Sequence, residues 1–151
     1  MRRLSLRRFC KVVSRVMETL PEEFYPYLDN LVVDVEEEPS EEMLRRQGLT
    51  AEEIADGETL YGLFVPLEPP PGCGGETFDL ADLPRRLIIF KRPLEEDFPD
   101  RRTLLLEIRK TVIHELAHHF GFTERDLDRF EETPDPFGDD PEELLDDKNA
   151  P

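Results

Sequence analysis

All three histidines of this 151-residue chain lie within six positions, His114-Glu115-Leu116-Ala117-His118-His119, and the stretch that carries them has the pattern of one long helix. From Asp100 to Lys110 the chain runs into the cluster without a glycine or proline. Apolar residues recur at Leu105, Ile108, Val112, Leu116 and Phe120, and Leu104 and Ile113 widen the set. Those spacings of three and four describe one buried helical stripe. Asp97 or Asp100 can cap the start, and Gly121 stands where a helix gives way to a residue of positive φ.

On a helix, residues four apart lie on one face, one turn above the other. His114 and His118 can therefore aim two imidazoles at one ion, with Glu115 beside them. Two imidazoles, an adjacent carboxylate and an open coordination position are the parts of a hydrolytic zinc site. Glu107, Thr111, His114 and His118 form a polar line along an otherwise apolar helix, as a site set into a core requires. A lone histidine here would read as a surface or satisfied core residue; two at this spacing with Glu between them favour a metal.

Catalytic zinc normally takes three protein ligands plus water. His119 is turned about 100° from His118 and should miss the ion. Gly121 lets the chain fold back beneath the helix, which makes Glu124, three residues on, the first choice for the third ligand. Asp126 competes, but Thr123 with Asp126 has the form of a capping box opening a helix from Glu124 to about Phe130. Asp128 stands behind both.

The run Val112-Ile113-His114-Glu115-Leu116-Ala117-His118-His119-Phe120-Gly121, with an acid three residues later, resembles the motif of the small bacterial zincin-like metallopeptidases, the minimal zincins. The resemblance extends to Leu20–Phe24, Val32–Glu36, Gly62–Phe64 and Ile88–Pro93, so it spans roughly residues 9 to 130. It implies zinc as cofactor, His114 and His118 as ligands, and Glu115 as general base in peptide-bond hydrolysis. The third ligand then falls on Glu124, where the family more often has Asp. The Pro69–Gly75 segment departs from the shorter loop expected of the family.

At 151 residues the chain has room for one domain, read as residues 1–131, with 132–151 as an acidic, disordered tail. From Glu131 to Pro151 there are nine acids, one base and four prolines, a composition unable to offset its ordering entropy by burial. The net charge of −17 argues against nucleic-acid binding, since phosphate contact needs a basic surface. No apolar run approaches the roughly 20 residues that cross a bilayer. The basic start, Met1 to Lys11, lacks a cleavage site, and Leu6, Phe9, Val13, Val16 and Leu20 give it the spacing of an amphipathic helix. Cytoplasm is the expected location. Cys10 and Cys73 are too few for a disulfide framework.

The expected fold is α+β, a minimal zincin-like domain with a small three- to four-stranded sheet and packed helices, the histidine helix among them. Helices are expected at 4–19, from Ser40 to Gly48, and from a Thr50/Glu53 capping box to Gly57, with a short turn or helix from Pro21 through Leu28. Strands are expected at Leu31–Glu37, Thr59–Val65 and Leu87–Lys91, with an exposed loop at Pro66–Gly75. By analogy with zincins, either of the last two strands is expected to hold a peptide as an added strand. The expected partner is a peptide or protein substrate, with no nucleic acid and no membrane, for a monomer or small homo-oligomer. The alternatives are a metal-binding regulatory or structural protein with little turnover, and an interaction module using its acidic tail.

Overall fold

The computed structural model describes residues 3–66 and 85–131. Within them the helices are α1 (Leu6–Glu18), a 3-10 helix (Glu22–Tyr27), α2 (Glu41–Arg46), α3 (Ala51–Ala55), α4 (Lys91–Asp97), α5 (Arg101–Phe120) and α6 (Glu124–Glu131). The strands are β1 (Leu31–Glu36), β2 (Gly62–Pro66) and β3 (Arg85–Phe90). The expected loop beyond Pro66, Cys73 and the acidic tail lie outside the described residues.

Local chemistry sets the helix ends. Asp100 caps α5, its Oδ2 accepting from the Thr103 N–H at 3.0 Å. Thr50 and Glu53 exchange the two hydrogen bonds of a capping box at α3, and Ser40 caps α2. Gly121 ends α5 in the left-handed region at φ 79°, which glycine enters without a Cβ penalty.

The sheet order is β1-β3-β2, with β3 parallel to β1 and antiparallel to β2. β3 is therefore the middle strand. Leu87, Ile88, Ile89 and Phe90 are all buried, the continuous apolar run expected when both faces are covered. Along β1, Leu31, Val33 and Val35 pack on the core, while Asp34 and Glu36 pair with Arg86 of β3. Leu87 and Ile89 join α1 (Phe9, Val12, Val13, Val16) and α5 (Leu104, Leu105, Ile108, Val112, Leu116) in one core.

Two expectations are corrected. The strand read as Leu87–Lys91 stops at Phe90, and Lys91 opens α4, a helix the spacing did not reveal. Pro93 lies in the first turn of α4, where a missing N–H costs nothing and the ring disfavours continued sheet pairing. The strand read from Thr59 begins only at Gly62, which leaves Thr59, Leu60 and Tyr61 beside a cleft instead.

α4 and α5 hold α1 at both ends. Glu95 is buried on α4; its Oε2 accepts the Leu4 N–H at 2.8 Å, and its Oε1 lies 2.5 Å from Lys91 Nζ as an ion pair without hydrogen-bond geometry. Arg109, buried on α5, donates from Nε to Thr19 Oγ1 at 3.2 Å and from Nη2 to Thr19 O at 3.1 Å.

β2 lies against α5 at van der Waals range. A Cβ at Gly62 would stand 2.8 Å from Thr111 Cγ2, so no other residue fits without displacement. Thr111 is not free to rotate away cheaply, because its hydroxyl donates to Glu107 O at 2.8 Å. Gly62→Ala is expected to cost about 1–3 kcal/mol in urea unfolding, and Thr111→Ser, which deletes only the opposing methyl, should recover most of it. Additive effects in that double-mutant cycle would contradict the contact.

Before β2, the Tyr61 hydroxyl donates to the Asp97 carboxylate at the end of α4. Burial, then Asp97, then the charge of Glu107, push the phenol up to about 12. A raised phenol pKa means the fold favours the neutral form. The resulting stability is whole below the unfolded value near 10 and is lost as pH rises through about 12. With three tyrosines and no tryptophan, tyrosinate absorbance reads this directly. Tyr61→Phe should delete a component titrating near 12, and an unchanged high-pH limb would contradict the Tyr61–Asp97 bond.

Candidate functional site

The twenty-residue α5 buries Leu104, Leu105, Ile108, Val112, Ile113 and Leu116, and that packing fixes the rotation of its remaining face. Glu107, Thr111 and His114 turn toward β2 and line an open cleft of about 420 Å³ with Thr59, Leu60, Tyr61, Gly62, Lys110 and Glu115. The polar line seen in the sequence is thus the floor of a cavity, and His118 continues it into solvent. The cleft falls within the range of small-ligand sites.

Glu115 is half-buried between this helix and the sheet edge. Tyr61 O accepts from the Phe90 N–H at 2.9 Å, so in the antiparallel register the backbone groups of Gly62 and Phe64 turn away from β3. The outward N–H of Phe64 faces the Glu115 carboxylate. Burial pushes that carboxyl above the usual glutamate value, against the opposing charge of His118, the Phe64 N–H and the charge of His114. The carboxylate therefore feels both imidazoles. Nothing in the sequence marks Phe64 as its partner.

His119 goes elsewhere, as its angle on the helix requires. Its ring stacks on Phe64, with centroids 4.1 Å apart and planes 17° from parallel. Its Nε2 is 3.9 Å from Glu115 Oε2, beyond hydrogen-bond reach. Burial and the charge of His118 hold it below the usual histidine value, which favours the neutral ring.

Past Gly121 the chain turns into α6 through an aromatic cluster. Phe24 meets Phe122 at 4.9 Å and Phe130 at 5.1 Å, and Tyr27 stacks on Phe120 at 4.3 Å. Thr123 and Asp126 form the reciprocal cap of α6: Thr123 N–H to Asp126 Oδ2 at 2.9 Å, and Asp126 N–H to Thr123 Oγ1 at 3.2 Å. Those bonds hold the Asp126 carboxyl below its usual value and commit it to the helix end. Glu124 and Asp128 are exposed on α6.

Two imidazoles on successive turns, each reached by solvent and both close to one carboxylate, make a donor set that suits zinc. Among the described residues, no group of three or more His, Cys, Asp or Glu side chains is gathered tightly enough to hold a metal. The Tyr61 hydroxyl, at the edge of the cleft, is committed to Asp97.

The fold is similar to that of a conserved hypothetical protein from Thermus thermophilus. The two share 26% sequence identity at a TM-score of 0.52, over 78% of this chain and 94% of that one. No curated protein matches the chain. The family model described as zincin-like metallopeptidase matches residues 28–133. That match starts at the end of the 3-10 helix and takes in the whole sheet, the histidine helix and α6; the chain belongs to the zincin-like metallopeptidase family.

Proposed function

We propose that the protein is a zinc-dependent peptidase in which His114, His118 and Glu124 hold the metal and Glu115 is the general base. The observation that carries this reading is the half-buried Glu115 carboxylate, close to both imidazoles at the side of an open cleft. A zinc ion held there would supply the Lewis acidity that polarises a scissile carbonyl. Glu124, exposed at the first turn of α6, has other rotamers open to it, whereas Asp126 is held by its cap.

Glu115 would take the proton of the attacking water and deliver it to the leaving amine. Its raised pKa suits that exchange, because a base nearer neutrality also returns the proton readily. The Phe64 N–H favours the charged carboxylate from the sheet side. A peptide or protein segment is the substrate class that a cleft beside a sheet edge accommodates. β3 has neighbours on both sides, so β2 is the strand whose edge adjoins the cleft, and the substrate would lie along it. No helix among the described residues is long and apolar enough to cross a membrane, and we place the enzyme in the cytoplasm, as a monomer or small homo-oligomer.

Glu115→Gln should keep zinc, measured after dialysis, while hydrolysis of a quenched-fluorescent peptide library falls by about 10²–10⁴. Undiminished turnover would remove Glu115 from the chemistry. His118→Ala should lose zinc itself. Glu124→Gln should weaken zinc binding at least about tenfold, no less than the loss of an outer-shell partner costs. Asp126→Asn should leave zinc affinity intact and lower only the stability of α6. The reverse pattern would transfer the ligand role to Asp126.

A further inference from the structure

We infer that Lys110 is the seat for the C-terminal carboxylate of the peptide substrate. The inference rests on the peptidase reading of the same cleft, and carboxylate binding tests it without hydrolysis. Among the described residues that line the cleft, Lys110 is the one lysine or arginine, and Glu107 and Glu115 are the carboxylates. Lys110 is exposed, and no ion pair or hydrogen bond with a described residue holds its ammonium. Even Glu107, three residues back on the same helix where a partner would stand, leaves it open. In a chain of net charge −17, a cation left open in an acidic cleft is a place for an anion that the rest of the surface repels.

The direction of the substrate follows from how β2 lies on α5. Gly62 stands against Thr111, and Phe64, two residues on, faces Glu115, four residues on. Two strand residues cover about 6.6 Å and four helix residues about 6 Å, so strand and helix advance together in one direction. An added strand pairs more stably, and more often, antiparallel to its neighbour. A peptide laid antiparallel on β2 therefore runs against α5, with its C-terminal side over Thr111 and Lys110. Lys110 precedes His114 by four residues, about 6 Å along the axis, which an extended peptide covers in about two residues. Behind Lys110 stand Glu107 and, through the Tyr61 hydroxyl, Asp97, whose like charges oppose a carboxylate carried further. The seat is thus a ruler that sets the scissile bond about two residues from the chain end. Hydrolysis breaks that C–N bond, adds the hydroxyl of water to the carbonyl carbon and a proton to the leaving amine, and frees a dipeptide at Lys110.

The chain has four lysines, so carbon-labelled lysine gives four ε-methylene signals, and Lys110→Arg assigns the one at the cleft. The zinc-loaded full chain carrying Glu115→Gln, titrated with acetyl-tetraalanine, should shift the Lys110 signal alone. The matching C-terminal amide should leave it in place. Decapeptides with each end free or blocked then report hydrolysis, with products identified by mass spectrometry. Amidation of the C-terminus should raise KM about fivefold, the upper range for an exposed ion pair, and acetylation of the N-terminus should not. Lys110→Gln should erase that difference, Lys110→Arg should keep it, and Lys110→Glu should reverse it. The leading product should be the C-terminal dipeptide. A Lys110 signal indifferent to the carboxylate would overturn the proposal, as would an end preference that survives Lys110→Gln. Loss of binding on acetylation of the N-terminus would overturn it too, by laying the peptide parallel to β2 with its ammonium at Glu107. A carboxylate-dependent shift with no hydrolysis by the wild-type chain would uphold the seat and remove the peptidase reading instead.

Discussion

The approach of β2 to α5 is the constraint on which the site depends. Gly62 admits the strand to contact with Thr111, the Phe64 N–H reaches the Glu115 carboxylate, and the Phe64 ring receives the ring of His119. Each contact alone is modest. Together they hold a half-buried carboxylate at a defined place between a helix face and a sheet edge. A carboxylate held in this way feels a backbone N–H from the sheet and both imidazoles from the helix. The other helices serve the same end: α1 is fixed to α5 through Arg109 and Thr19 and to α4 through Glu95, so α5 has a rigid bed.

Much of this was legible in the sequence where the cause is local. The capping residues Asp100, Ser40, Thr50 and Thr123 act over three residues, and each stands where its side-chain chemistry places it. The twenty-residue histidine helix was visible because its buried stripe repeats with the helical period and ends at a glycine. The polar line from Glu107 to His114 proved to be a cavity floor for the same reason. The unpromising fate of His119 as a ligand followed from its angle on the helix alone.

What the sequence did not show depends on distant pairing. The strand order puts β3 in the middle, so it has no edge to offer a peptide, and no spacing within β3 records that. α4 was missed because seven residues with one proline and two basic residues at the start carry little period. The approach of the Phe64 N–H to Glu115 brings together residues from separate elements through a backbone group, which leaves no mark in residue identity. The direction in which α6 leaves Gly121 is set by Phe24, Phe122, Phe130 and Tyr27, a non-local packing that the spacing from Gly121 to Glu124 does not record. Arg109 sits at a buried position where Thr19 accepts from it with both its hydroxyl and its carbonyl.

The central claim is that one face of α5 presents two nitrogen donors to one cation. Zinc K-edge X-ray absorption on the metal-loaded full chain tests it most directly, because outer-shell scattering counts imidazole rings. Two imidazoles at about 2.0–2.1 Å, completed by oxygen, are expected. A shell with one imidazole or none, or with sulfur at about 2.3 Å from a cysteine, would contradict it.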